Sequence, residues 1–285
     1  MNRELIKLIA SLLLFGSSGI FASQIHMASN EIVFLRTGIG SLLLGAIFLL
    51  TKKSRAFGKN KKDSVLLILS GMGLGGGWIF LHEAYQQIGV GISTLLYYCA
   101  PAVVMALSPI FFKEKLNWKK GAGFLAVLCG MFLINGQAVQ TGTSLWGLFC
   151  AVMSAVMYAA MLITNKKAES IKGMENATFQ LIFSFLTVAV YLLLKDGIHI
   201  AIPAGDWLPV LMLGLVNTGF GCYMYFSSIG YLKVQTVAVC GYLEPLSAVV
   251  LSAVVLGEAM GILQIMGAVL ILGGAMFAEI AGKSM

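Results

Sequence analysis

Charge is what this sequence has least of. Only 11% of its 285 residues are charged, and just 12 of them are Asp or Glu. A soluble domain carries about twice that charged fraction, so this chain cannot assemble an ordinary water-facing shell. Histidine is nearly as scarce: His26, His82 and His199 lie far apart in sequence. The five cysteines (Cys99, Cys129, Cys150, Cys222 and Cys240) all fall inside apolar stretches, none at metal-ligand spacing. That pattern implies no disulfide framework and leaves them as small packing residues. There is no glycine-rich nucleotide loop, no serine elbow and no His/Cys/Asp/Glu cluster with ligand spacing. No catalytic residue, metal ligand or cofactor is therefore assigned, and an ATP-driven activity would need a partner subunit.

What the sequence has in abundance is long apolar runs. Hydrophobic residues make up 59% of the chain, and the mean hydropathy is +0.90. Ten runs lie near 6–25, 31–51, 65–84, 91–112, 119–136, 144–165, 176–194, 207–229, 235–256 and 262–281, with short connections. About 20 apolar residues cross the hydrocarbon core as a helix. The expected fold is an all-α integral membrane protein with ten transmembrane helices and no soluble domain. Arg3 and Lys7 precede a first run that continues to about Ile25 without a small-x-small cleavage site, so that run reads as a membrane helix rather than a signal peptide.

The net charge of +7 could suggest nucleic acid in a soluble protein. Here the basic residues sit between the apolar runs and set orientation instead. With the N-terminus inside, the inner segments collect Arg3, Lys7, the six basic residues between Lys52 and Lys62, the four from Lys113 to Lys120, Lys166, Lys167, Lys172, Lys233 and Lys283. The outer segments collect Lys195 alone, and Arg36 lies within the second run. Both termini are expected on the cytoplasmic side. Membrane lipid is the expected surroundings, the basic stretch Lys52 to Lys62 could also touch anionic headgroups, and nucleic acid is not an expected partner.

The chain also repeats itself. Shifted by 144 positions, Tyr98 falls on Tyr242, Pro101 on Pro245, Ser108 on Ser252, Glu114 on Glu258, Gly123 on Gly267 and Gly130 on Gly274, without a gap. Aliphatic matches between membrane helices mean little, whereas matched Tyr, Pro and Glu at fixed spacing mark a true repeat. The expected units are 1–138 and 139–285, five helices each. Five is odd, so the second unit enters the membrane from the opposite side. Inverted units place a shared site near the midplane, as in many transporters. The run Gly71 to Gly77 in the third helix fits close backbone approach, for packing or for bending.

The second copy carries the sharpest candidate residue. Glu244 and Pro245 fall in the middle of an otherwise uncharged run from Val234 to Leu256. On insertion scales a carboxylate at that depth costs about 2.5–3.5 kcal/mol unless it is paired, protonated or wetted. Pro245 removes an amide donor and leaves the Gly241 carbonyl without its usual helical partner. Both defects fit a helix lining an aqueous hollow. Glu244 could carry a proton, bind a substrate ammonium, or serve as a structural carboxylate bonded to a neighbouring helix. Its counterpart in the first copy is Ala100.

Trp78, His82 and Tyr85 share one helical face through their spacings of four and three. With Tyr97, Tyr98 and Tyr242 they could wall a pocket for organic cations or flat apolar groups, the alternative being ordinary packing. His82 could relay protons or form a wetted pair with Glu83. Asn217, Asn165 and Ser17 with Ser18 offer hydrogen bonds to a substrate or to other helices. Pro101 and Pro245 are candidate hinges. Arg36 reads as structural, snorkelling outward or pairing with Glu31. Glu114 and Glu258 read as helix-end residues that could hold freed backbone amides of a following helix.

The pattern Tyr-x-x-Pro, an aliphatic run and a terminal Glu occurs as Tyr98, Pro101, Glu114 and again as Tyr242, Pro245, Gly257-Glu258. It resembles the EamA family of the drug/metabolite transporter superfamily, over nearly the whole chain. One departure is Lys113-Glu114, where the second copy has Gly257-Glu258. The resemblance implies ten helices as two inverted five-helix EamA repeats. It implies secondary transport of small metabolites across the plasma membrane, often export of amino acids or related compounds. It also implies that helices 1, 3, 4, 6, 8 and 9 surround the pathway, with 5 and 10 peripheral. The expected protein is then an alternating-access transporter of a small zwitterion or organic cation, with proton coupling through Glu244. An uncoupled facilitator and a membrane enzyme acting on lipid-linked substrates are the competing readings. Oligomeric state does not follow from the sequence.

Overall fold

The computed structural model describes residues 3–51, 56–114, 118–135, 144–195, 197–198, 200–255 and 262–283. All regular structure among these residues is helical. The first half contains α1 (Arg3–Gly16), α2 (Ser18–Ala22), α3 (Ser29–Leu50), α4 (Lys61–Tyr97), α5 (Ala100–Phe112) and α6 (Trp118–Asn135). The second contains α7 (Leu145–Lys167), α8 (Gly173–Lys195), α9 (Trp207–Leu211), a π-helical segment (Met212–Phe220), α10 (Gly221–Ile229), α11 (Val234–Cys240), α12 (Leu243–Val255) and α13 (Ile262–Lys283). Among the described residues, six spans are long and apolar enough to cross a membrane: Arg3–Ala22, Ser29–Leu50, Lys61–Gly89, Leu145–Lys167, Gly173–Lys195 and Trp207–Ile229. The fifth and tenth runs form α6 and α13, whose apolar stretches are the shorter Gly121–Leu133 and Ile265–Gly274.

The fourth and ninth runs fall short of that list because both helices are broken. The third helix outruns its expected end and reaches Gly89, whose φ of 76° interrupts it. Glycine takes that conformation without a Cβ penalty. The fourth helix then turns at Tyr98 and Cys99 before α5. The ninth turns at Gly241 and Tyr242 before α12. Pro101 and Pro245 therefore sit in the first turn of a new helix, where a missing amide costs little. The Gly241 carbonyl is not left bare, since the Glu244 amide donates to it at 3.2 Å. The two breaks meet, with Gly241 against the Pro101 ring.

Packing follows the 144-residue register. Gly130 of α6 lies against the Gly267 carbonyl and Ile271 of α13, and Gly274 of α13 lies against the Gly123 carbonyl and Val127 of α6. Gly130 and Gly274 are register mates, as are Gly123 and Gly267. The same contact is thus made twice with the roles exchanged, the signature of a two-fold relation. Because residue numbers rise along α6 as they fall along α13, the two helices run antiparallel. Large side chains such as Leu50, Leu145, Leu194 and Ile262 stand exposed on the outside, as surfaces solvated by lipid chains do.

At the end of the bundle carrying most of the basic residues, carboxylates tie loops to helices. Glu175 accepts from the Ala56 and Phe57 amides at 2.9 and 2.8 Å. Asp63 accepts from Ser170 at 2.8 Å. Glu114 accepts from Val234 and Gln235 at 2.8 and 3.2 Å, the role its sequence position suggested. Its mate Glu258, with Gly257 and the His199 position, lies outside the described residues.

Candidate functional site

The site is built around Glu244, on the first turn of α12. Protein surrounds its carboxylate, yet the side chain keeps accessible surface. The same holds for Arg36, Trp78, His82, Tyr85, Tyr97, Tyr98 and Tyr158. Enclosed side chains that retain accessible surface line an internal hollow. The Glu244 charge lies within coulombic reach of Arg36, Tyr85, Tyr97, Tyr98, Tyr158, Cys222 and Tyr225, and the Tyr98 hydroxyl is its hydrogen-bonding neighbour.

Aromatic contacts form the wall. The Tyr97 ring is 5.5 Å from Tyr98 and 5.6 Å, edge-on, from Tyr158. The Tyr158 and Tyr225 hydroxyls are 3.1 Å apart, and Phe15 lies 5.9 Å from Tyr225. His82 sits 5.4 Å from Tyr85, and its Nδ1 is 2.8 Å from the Trp78 carbonyl. His82 and Glu83 do not pair. Glu83 turns the other way, accepting from Trp146 and Gln87 at 3.2 Å each and approaching Lys195 at 3.9 Å. Gly16 brings α1 onto α12 beside the Glu244 carbonyl and Ser247, a crossing that a Cβ would obstruct.

The second charge in the hollow is Arg36. It neither snorkels nor pairs with Glu31. Glu31 caps its own helix by accepting from the Ala28 amide at 3.3 Å. Arg36 points inward, its Nε donating to Thr218 at 2.9 Å and its guanidinium lying 4.7 Å from the Trp78 ring centre. Thr218 belongs to the π-helical segment, a distortion often found at functional sites.

The pattern of the EamA-like transporter family matches residues 2–136 and, a second time, residues 145–279. The chain belongs to the EamA-like transporter family. It is similar to the uncharacterized transporter YxxF of Bacillus subtilis, with 26% identity over 96% of this chain and 88% of the relative. It is similar also to a probable amino-acid metabolite efflux pump of Salmonella typhimurium, with 27% identity over 82% of this chain and 83% of the relative. A crystal structure 19% identical in sequence shares the fold, with a TM-score of 0.85 over 98% of this chain and 99% of the other. Membership makes this chain a multi-pass membrane transporter of small molecules, and not an enzyme.

Against that background the expected site residues divide. Trp78, His82, Tyr85, Tyr97, Tyr98 and Glu244 come together. Tyr242 is fully buried in a cluster with Val127, Met131, Leu246 and Ile271, against which Tyr98 also packs. Asn217 and Ser17 tie elements together, Asn217 donating to Ser17 Oγ at 2.8 Å and to the Leu14 carbonyl at 2.6 Å, where α1 breaks off. Asn165 bonds Asn176 and Gln180 at 3.0 and 2.9 Å in a buried polar network. Sequence reasoning missed Tyr158, Tyr225, Thr218 and the inward course of Arg36. For Arg36 the signal was present: an ionisable residue inside an apolar run is a functional candidate by default, as Glu244 was.

Proposed function

We propose that this EamA-family chain is a secondary transporter of a small polar or amphiphilic metabolite, an amino-acid-like zwitterion or organic cation. In this reading ten membrane helices form two inverted five-helix halves, 1–138 and 139–285, and access alternates by rocking about the breaks at Pro101 and Pro245. The exchanged contacts of antiparallel α6 and α13 support the inversion, because a two-fold relating antiparallel membrane helices lies in the membrane plane. The seventeen inner basic residues of the positive-inside count support cytoplasmic termini in a cell membrane. The similarity to the probable amino-acid metabolite efflux pump of Salmonella typhimurium supports export of amino-acid-like compounds.

The observation that carries the reading is Glu244: an acid inside the hollow, ringed by tyrosines, with no cation within 4.0 Å among the described residues. Such a group can exchange a proton for a substrate ammonium as the hollow opens to either side. The test is flux of amino acids and amines in proteoliposomes under an imposed proton gradient, with Glu244→Gln in parallel. Gradient-driven accumulation that disappears in the variant is the expected result. Downhill flux indifferent to the gradient would favour an uncoupled facilitator, and flux unchanged by Glu244→Gln would remove the acid from the mechanism.

A further inference from the structure

The hollow holds two opposite charges that do not touch. Arg36 and Glu244 lie within coulombic reach, yet no nitrogen-oxygen pair between them is within 4.0 Å. Thr218 fixes the Arg36 Nε at 2.9 Å and Trp78 stacks under the guanidinium at 4.7 Å, while its Nη groups donate to no protein acceptor among the described residues. A buried charge left without a partner is costly. The planar Nη edge of arginine matches the two oxygens of a carboxylate.

We propose that Arg36 is the anion-binding half of the substrate site, taking the carboxylate of an amino-acid-like zwitterion whose ammonium faces Glu244. The proposal rests on reading this hollow as the substrate site, and it narrows the substrate class by excluding simple organic cations. A cation would add like charge beside an unpaired guanidinium. A zwitterion neutralises both walls and fills the gap between them. The anchor is built into the fold: Gly40, one turn beyond Arg36 on α3, lets the backbone of the π-helical segment approach, since a Cβ there would meet Leu181, Thr218 and the Gly219 amide. The other half of the chain has no copy of the set. The register mates of Arg36, Trp78, Thr218 and Glu244 are Gln180, Cys222, Leu74 and Ala100.

The test uses the purified full-length protein in detergent, read by thermal shift and calorimetry. The probes are the common L-amino acids and the same amino acids as primary amides, which keep the ammonium and lose the carboxylate. At least one amino acid should bind, with its amide weaker by about tenfold or more, the size of one charge-assisted contact. Arg36→Gln should bring the acid down to the affinity of the amide and leave the amide unchanged. Should that variant fail to fold, Thr218→Val keeps the guanidinium and removes its anchor. It should weaken the acid by about threefold, spare the amide, and be rescued by Thr218→Ser. Amides that bind as well as acids overturn the assignment of Arg36 while sparing Glu244, as does discrimination that Arg36→Gln or Thr218→Val leaves undiminished. If neither set binds, the reading of the hollow falls as well.

Discussion

The turn at Tyr98–Cys99 and the turn at Gly241–Tyr242 are two copies of one break, 144 residues apart. Each stops a helix near mid-run and restarts it with a proline in the first turn. Beyond the backbone they diverge. The first copy turns Tyr98 toward the hollow and holds a fully buried Ala100. The second buries Tyr242 against α6 and α13 and turns Glu244 toward the hollow. The duplication supplies a symmetric frame of exchanged contacts. The two charged residues of the hollow stand at positions where the copies differ, with Arg36 opposite Gln180 in register and Glu244 opposite Ala100. A site made of identical halves would present like groups to both ends of a ligand, whereas this one presents an acid and a base.

The sharpest way to break that comparison is at the α1 crossing. Gly16 lies on the α12 backbone beside Glu244 and Ser247, while its register mate Ala160 is exposed on α7. Gly16→Val should destabilise the protein by about 3 kcal/mol or more, or prevent folding, since overpacking a close backbone crossing leaves no rotamer free. Ala160→Val should stay within about 0.5 kcal/mol of the parent. Melting in detergent, followed by size-exclusion chromatography, compares them. Equal losses would mean that the two halves are constrained alike there, against the asymmetric crossing.

Much of the frame could be read from residues alone, for a physical reason. A bilayer-spanning helix needs a long apolar run, and a repeat with matched Tyr, Pro and Glu leaves a register that composition cannot imitate. The breaks were legible as prolines, though not as turns. Nothing in the apolar stretch before Tyr98 distinguishes a kinked helix from two helices, and Gly89 is one of 33 glycines with no local mark that it ends the third helix. Directions of side chains were least legible. Tyr98 and Tyr242 occupy equivalent positions, and only the neighbours decide that one keeps accessible surface and the other is fully buried. Arg36 went astray for the same reason: a long side chain can reach outward or inward, and the choice depends on Thr218 and Trp78, far away in sequence.

The tyrosine pair tests that distinction with a smaller effect. Tyr98→Phe removes the hydroxyl beside Glu244 and should weaken the amino acid that binds best by roughly three- to tenfold, the worth of one hydrogen bond to a charged group. Tyr242→Phe should leave that affinity unchanged. The reverse pattern would put Tyr242 in the site and the α6–α13 cluster on the pathway.

The smallest effect is expected far from the hollow, where the halves are joined at the less basic end. Asp206 accepts from the His26 amide at 2.6 Å, and its second oxygen lies 3.1 Å from the His26 ring. These two bonds to His26 hold the Asp206 carboxyl below the usual carboxylate range. A group whose folded value is depressed stabilises the fold fully above its unfolded value and loses that contribution as pH falls through the folded one. Asp206→Asn should therefore melt slightly below the parent from neutral pH down to about 5, and the gap should close below about 4, where the unfolded carboxyl gains its proton. A gap that closes already near neutrality, or one that persists to the lowest pH, would show that the loop is held by something other than this carboxylate. The contact has a counterpart at the basic end, where the amide of Ser170, the register mate of His26, donates to Asp63 at 2.8 Å.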